Sequence, residues 1–310
     1  MNILFLDTVH PILEERLLAA GHTTTHAYSE TGPTLHALLA TAHGLVIRSR
    51  LPVNAALLAN APALRFIARA GSGMENIDIP ACQSSGIALF NSPEANAPAV
   101  AEHATAMLLS MLNHIPRADC EVRSGIRLRA ENRGTELRSL TVGIIGYGHT
   151  GSAFARCLNG FGCRVLVYDR YLHGIGGGHA IECALTDIQA EAQVLSFHVP
   201  QAPDTHHYFN LDFLRSMRHP FYLINTSRGS VCANAAIASG LNSGHLLGAC
   251  LDVFENETPS FESLQSPDDI WHQILTSPRV ILTPHIAGWT HQSHFFLSDV
   301  LADKILAHFG

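Results

Sequence analysis

Residues 141–151 read TVGIIGYGHTG, and the fold follows from what frames this stretch. An apolar, β-branched run, Val142–Ile145, leads into Gly146-Tyr-Gly148-His-Thr-Gly151, and the helix-like SAFARCLNGFG follows. Gly146 permits a tight turn, Gly148 lets backbone approach a pyrophosphate, and Gly151 lets the helix lie close to the strand. The positive dipole end of that helix, with the N–H groups of His149 and Thr150, is expected to face the phosphates. The next strand closes on Asp169 in VLVYDR, 18 positions beyond Gly151 (169 minus 151). A carboxylate there accepts hydrogen bonds from both ribose hydroxyls of NAD and repels the 2′-phosphate of NADP. Arg170 follows directly and softens that discrimination. A bare glycine triplet is a weak signal, equally an ordinary turn of an α/β unit. With strand, helix and acidic residue in place, it reads as a dinucleotide site for NAD.

Outward from this unit, short β-rich runs alternate with helical stretches, the pattern of parallel α/β sheets. Upstream, strands are expected near Ile3–Leu6, Leu45–Ile47, Phe66–Ala68 and Ala88–Phe90, with a helix over Ile12–Ala20 stopped by Gly21 and a long one over Ala97–Leu112. Downstream, strands are expected at Val142–Ile145, Val165–Tyr168, Val194–Phe197, Tyr222–Asn225, Gly248–Leu251 and Val280–Leu282. Six strands with intervening helices suit a doubly wound dinucleotide domain. The helical spacing over His291–Phe309 is too short for a domain of its own and is expected to return to the first one. The chain therefore reads as α/β with two doubly wound parallel-sheet domains. A Rossmann-type cofactor domain, 97–285, is inserted into a smaller flavodoxin-like substrate domain, 1–96 plus 286–310.

Composition bounds the function. Hydrophobic residues make up 47% and charged ones only 15%, enough apolar surface for real cores and against disorder. The formal charge of −7, without any Lys/Arg run, argues against nucleic acid. The N-terminal MNILFLDTVHP lacks a basic leader region, and no apolar run reaches the ~18 residues of a membrane helix, so no membrane role is expected. Seven scattered cysteines without a C-x-x-C pair fit a reducing cytoplasm. The 20 histidines show no spacing backed by cysteines or carboxylates, so no metal is expected.

Three further segments each end an expected strand: LINTSRGS (223–230), LDVFENE (251–257) and LTPHIAG (282–288). Open α/β sheets bind ligands outside the carboxyl ends of their strands. An arginine, a carboxylate and a histidine brought there are the parts that hydride transfer to a 2-keto acid requires.

In this order (glycine loop, Asp, N-x-x-R-G, D-x-F-x-x-E, P-H-x-A-G) residues 141–288 resemble the D-isomer-specific 2-hydroxyacid dehydrogenases. The resemblance extends to RAGSGMENID (69–78) and NSPEANAPAVAEH (91–103), so it covers most of the chain. It implies a catalytic set of Arg228, Glu257 and His285. His285 would donate a proton to the developing alkoxide, Glu257 would orient the imidazole and favour its charged form, and Arg228 would bind the substrate carboxylate. D-x-F-x-x-E counted from Asp252 selects Glu257 over Glu255. The family commonly has proline directly after this glutamate, whereas here Thr258 precedes Pro259. The resemblance further implies that SFHVP (196–200), through His198 and Pro200, lies on the nicotinamide side with Thr205. It puts Thr226 and Asp252 at nicotinamide ribose or carboxamide, and the amides of Ser72 and Gly73 at the substrate carboxylate.

The substrate is less legible. VIRSR (46–50) resembles the strand end at which phosphoglycerate dehydrogenases place an arginine towards a phosphate; Arg48, with Arg50 or Arg69, would suit 3-phosphohydroxypyruvate. The same arginines equally read as solvated charges. Glyoxylate or hydroxypyruvate reduction is the alternative enzyme, and an NAD-sensing binding protein on the same fold the alternative class. The late glycine loop disfavours an L-specific lactate or malate dehydrogenase, and Glu257 disfavours formate dehydrogenase. Only 22 residues follow Gly288 (310 minus 288), so no C-terminal regulatory domain is expected. Relatives pair through the long helix and the segment after it, which implies a homodimer. Met107, Leu108, Met111 and Leu112 would either line that interface or fill their own domain's core.

Overall fold

A computed structural model describes residues 1–257 and 268–310, which form two compact units. The first comprises 1–96 and 289–310, the second 97–257 and 268–288.

In the first unit five parallel strands, β1 (Asn2–Phe5), β2 (Thr23–His26), β3 (Gly44–Ile47), β4 (Phe66–Arg69) and β5 (Ala88–Asn91), run in the order β2-β1-β3-β4-β5. This is the flavodoxin-like order. Strand alternation divides the core between the two faces. Ile3, Phe5 and Phe66 meet Leu301, Ala302 and Ile305 of the C-terminal helix His291–Phe309, while Leu4, Leu6 and Ile67 pack against Leu35 and Leu39. Strand β2 escapes the sequence reading because Thr23-Thr-Thr-His26 has no apolar alternation; it forms as the sheet edge, paired on one side only.

In the second unit the parallel strands are β6 (Thr141–Ile145), β7 (Arg164–Tyr168), β8 (Ile181–Glu182), β9 (Val194–Phe197), β10 (Phe221–Asn225), β11 (Leu246–Leu251) and β12 (Val280–Leu282). Their spatial order is β12-β11-β10-β9-β6-β7-β8. Counted from β6 this is 3-2-1-4-5-6 with one more strand, the dinucleotide-binding order, reversing between β6 and β9. Seven strands replace the six expected; β8 is two residues long and its only apolar side chain, Ile181, is exposed.

The long helix begins at Pro93, four residues before the expected start, since proline in a first turn needs no N–H partner. Met107, Leu108, Met111 and Leu112 are all buried, packed with Val142, Ile144, Ile224 and Cys250 of their own unit. They are interior residues and not surface ones. The exposed apolar side chains come after them: Ile115 and Val122 of the helix Ile115–Arg123, then Ile126 and Leu128. Among the described residues no helix is long and apolar enough to cross a membrane, and no cluster of three or more His, Cys, Asp or Glu could hold a metal ion.

Candidate active site

The strand reversal of the larger sheet puts the ends of β6 and β9 side by side, where open α/β sheets hold their ligands. Gly146 turns the chain at φ +91°, and a Cβ there would stand 2.5 Å from the carbonyl oxygen of His198. A Cβ on Gly151 would come 2.0 Å from the carbonyl oxygen of Gly146. Packing therefore demands both glycines. At Gly148 a Cβ would meet no protein atom within 4 Å, so packing does not account for the glycine, whereas room for a ligand does. The N–H groups of Gly148, His149 and Thr150 have no acceptor among the described residues, at the start of a 10-residue helix, His149–Leu158. Together they form an anion cradle suited to a pyrophosphate.

Asp169 at the end of β7 accepts three backbone N–H bonds: Tyr147 on Oδ2 at 2.7 Å, Tyr171 and Leu172 on Oδ1 at 2.9 and 3.0 Å. Partial burial pushes its carboxyl up, but these bonds outweigh that and hold it below the usual carboxylate range. Of roughly four lone-pair sites, one on Oδ2 is left for a ribose hydroxyl. Arg170 is directed elsewhere. Its Nη1 donates to Asp204 Oδ2 at 3.0 Å, an oxygen that also accepts the Tyr171 hydroxyl at 2.7 Å.

His198 lies beneath the glycine loop with its ring against Phe154, centroids 5.3 Å apart. Burial pushes its pKa down to about 3, so a neutral ring makes the 2.8 Å bond to Ser196 Oγ. The Thr205 hydroxyl donates to the carbonyl oxygen of Pro200 at 2.7 Å and accepts Ala202 N at 2.9 Å, which pins the 200–205 turn. Thr226 Oγ1, by contrast, is buried with no partner among the described residues, an orphaned hydroxyl at the end of β10 that a cofactor could satisfy.

Strands β10, β11 and β12 are neighbours and parallel, so the segments after them emerge at one edge. Asn225, 1% exposed, shapes the first: its Oδ1 accepts from Ser227 N and Oγ, and its Nδ2 donates to Arg228 O at 2.9 Å. This presents Arg228, whose Nη1 donates to Ser227 O. Gly229 lets that segment touch the next one, since a Cβ would stand 1.9 Å from Phe254 O. Sequence reasoning passed over Asn225, although its place three residues before the arginine in N-x-x-R-G was its signal.

Glu257 Oε2 meets His285 Nδ1 at 3.0 Å, while Glu257 Oε1 accepts Phe254 N at 2.9 Å. Glu255 is engaged elsewhere, with His207 Nε2 at 2.6 Å and Asn234 N at 2.7 Å. Thr258 and Pro259 lie outside the described residues. His285 adopts the left-handed conformation, φ +56°, which a non-glycine residue holds only when its surroundings impose it. Asp252 imposes it. Its backbone oxygen accepts His285 N at 2.8 Å, Oδ1 accepts Ile286 N at 2.9 Å and Oδ2 accepts Ala287 N at 2.8 Å. Expected beside the cofactor, Asp252 is 1% exposed, with its carboxylate committed to this loop.

In the smaller unit the sheet reverses between β1 and β3, and Arg48 follows β3 there. Arg48 N donates to Asp7 Oδ2 at 2.5 Å, and the Arg48 guanidinium lies 4.3 Å from the ring centroid of Trp289. Arg50 takes a structural role instead, donating to the carbonyl oxygens of Leu6, Ala27 and Glu30, and Arg69 is 8% exposed. Past β4, Ser72 Oγ donates to Asn96 Oδ1 at 2.7 Å and Ser72 O accepts Asn91 Nδ2. The backbone N–H groups of Ser72 and Gly73 have no acceptor among the described residues.

Residues 105–287 match the family model described as "D-isomer specific 2-hydroxyacid dehydrogenase, NAD binding domain". A D-3-phosphoglycerate dehydrogenase of Mycobacterium bovis is 34% identical over 283 residues, covering 88% of this chain and 51% of the relative. A hydroxypyruvate reductase of Thermotoga maritima is 32% identical over 269 residues, covering 86% of this chain and 84% of the relative. Among solved structures, the D-lactate dehydrogenase of Aquifex aeolicus complexed with NAD and lactic acid superposes with a TM-score of 0.83 at 28% identity, covering 99% of this chain and 95% of that one. The chain spans about half the length of the phosphoglycerate dehydrogenases it matches.

Proposed function

This chain belongs to the family of D-isomer-specific 2-hydroxyacid dehydrogenases, and on that premise we propose that it interconverts a D-2-hydroxy acid and its 2-keto acid. The observation that carries the reading is the 3.0 Å contact between His285 Nδ1 and Glu257 Oε2 on a loop beside the strand end that presents Arg228. NAD, when bound, supplies or takes up the hydride. The glycine cradle fits its pyrophosphate, Asp169 its ribose and the orphaned Thr226 hydroxyl a polar group further along.

With Nδ1 engaged by Glu257, proton exchange with the substrate oxygen falls to Nε2 of His285. The carboxylate keeps the ring oriented, and His285 gives the proton during reduction and accepts it during oxidation. Arg228 takes the substrate carboxylate with its planar fork, which also draws charge from the adjacent carbonyl. The amides of Ser72 and Gly73 suit an anionic oxygen of the same kind.

For the substrate we favour 3-phosphohydroxypyruvate, with Arg48 at the strand reversal of the smaller sheet taking the phosphate. One observation favours the runner-up, hydroxypyruvate or glyoxylate reduction: the Arg50 guanidinium is spent on the carbonyl oxygens of Leu6, Ala27 and Glu30. Loss of NADH absorbance with 3-phosphohydroxypyruvate, hydroxypyruvate, glyoxylate and pyruvate tests the reaction, repeated with NADPH for cofactor choice. Arg48→Ala is expected to raise KM about tenfold or more for the phosphorylated acid, as for a charge-assisted contact, and to leave glyoxylate unchanged. An equal effect on both removes the phosphate role. No turnover despite NADH binding favours the NAD-sensing protein.

The reading includes a homodimer in the cytoplasm. Supporting it are the exposed Ile115, Val122, Ile126 and Leu128, and seven cysteines without a disulfide. Light scattering at micromolar concentration should give twice the 33.5 kDa chain mass; a single-chain mass rejects the dimer.

A further inference from the structure

The buried carboxylate that imposes the strained conformation of His285 has a third donor. Thr283 Oγ1 donates to Asp252 Oδ1 at 2.6 Å. The same hydroxyl lies 3.0 Å from His103 Nε2, a ring carried on the long helix Pro93–Leu112 and 180 positions away in sequence. Counting protons gives this chain of bonds a direction. A hydroxyl has one hydrogen, and an ionised carboxylate has none to offer. At 2.6 Å the Thr283 hydrogen goes to Asp252, so His103 must donate its Nε2–H to Thr283 Oγ1. The ring nitrogen also stands 3.7 Å from Asp252 Oδ1 itself.

From this arrangement we infer that His103 is a positioning residue for the proposed proton transfer, acting on His285 through Thr283 and Asp252. Each link bears on the next. His103 orients the Thr283 hydroxyl and strengthens its bond, since hydrogen bonds in series polarise one another. Thr283 and the backbone N–H of Ile286 together fill Oδ1 of Asp252, which fixes the rotation of the carboxylate. A carboxylate so held keeps Oδ2 on Ala287 N and keeps His285 at φ +56° with Nδ1 towards Glu257. Without the His103 donor, Thr283 can rotate away, one acceptor site on a 1%-exposed carboxylate goes unfilled, and the loop gains alternatives to its strained state. Packing alone does not explain His103. A leucine would fill similar space on the helix, but only a donor satisfies the hydroxyl's remaining acceptor position.

The inference rests on the proposed role of His285, so the test needs a readout that does not depend on turnover. His103→Leu and His103→Gln are made in the full chain, and the His285 ring resonance is identified by its loss in His285→Ala. In His103→Leu the His285 resonance should shift and kcat should fall about tenfold, the scale of one hydrogen bond to a charged network, with KM for NADH within twofold. In His103→Gln, whose amide can donate to Thr283, both should return towards wild type. An unmoved His285 resonance in His103→Leu overturns the inference whether or not the protein turns over any acid. So does an equal loss in both variants, which marks His103 as a packing residue. Absence of turnover in wild type, with the resonance still shifting in His103→Leu and recovering in His103→Gln, counts against the proposed reaction and supports the positioning network.

Discussion

Replacing His285 by asparagine should lower kcat by about 10²- to 10⁴-fold, the range expected when a positioned proton donor is removed. Asparagine is the informative substitute because the site is left-handed, φ +56°, a conformation asparagine adopts more readily than alanine. The three bonds from His285, Ile286 and Ala287 N–H to Asp252 involve backbone donors only and survive the change. The loop should therefore keep its course, and NADH should still bind, because the glycine cradle lies at the end of β6 and not of β12. Loss of turnover with intact binding isolates the proton transfer. Glu257, whose side chain is only 9% exposed, then becomes a buried carboxylate without its histidine partner and loses part of its stabilisation. Near-wild-type turnover in this variant would end the assignment of His285 as the acid.

Two alanines in the glycine loop should separate protein packing from ligand room. In Gly151→Ala the new Cβ falls 2.0 Å from Gly146 O and 3.3 Å from the His198 Cβ. The obstacle is backbone, so the helix must withdraw from the loop, and overpacking of this kind costs roughly 1–3 kcal/mol. Both stability and NADH affinity should fall, affinity by at least about tenfold. In Gly148→Ala the Cβ meets no protein atom, yet it projects where the pyrophosphate is expected. Here the melting temperature should be unchanged while NADH affinity falls, as read from NADH fluorescence titration against thermal unfolding of the same samples. If Gly148→Ala binds NADH like wild type, the loop does not hold the pyrophosphate.

The amino-acid sequence by itself determined which segments become strands and helices, and which of them end in chemistry. These properties are local: a period of 2 or 3.6, a residue that must turn at positive φ, a proline in a first turn. Hence the local pattern gives Val280–Leu282 and His291–Phe309 the bounds they have, while the choice of Glu257 over Glu255 comes from the resemblance to the family pattern D-x-F-x-x-E. Where the local signal is faint the reading missed, as for Thr23–His26, which is polar, and Ile181–Glu182, which is too short to show a period.

Only the tertiary structure decided how side chains pair across long separations. It turned Met107 and its neighbours inwards, withdrew Arg50 to the carbonyls of Leu6, Ala27 and Glu30, bound Arg170 to Asp204 and gave Glu255 to His207. His103 and Thr283, 180 residues apart, carry no mark of each other along the chain. The physical reason is the range over which each choice is made. Backbone conformation is selected among near neighbours, whereas a buried polar group takes whichever partner the packing of separate elements brings within about 3 Å, because leaving it unsatisfied costs roughly 1–3 kcal/mol.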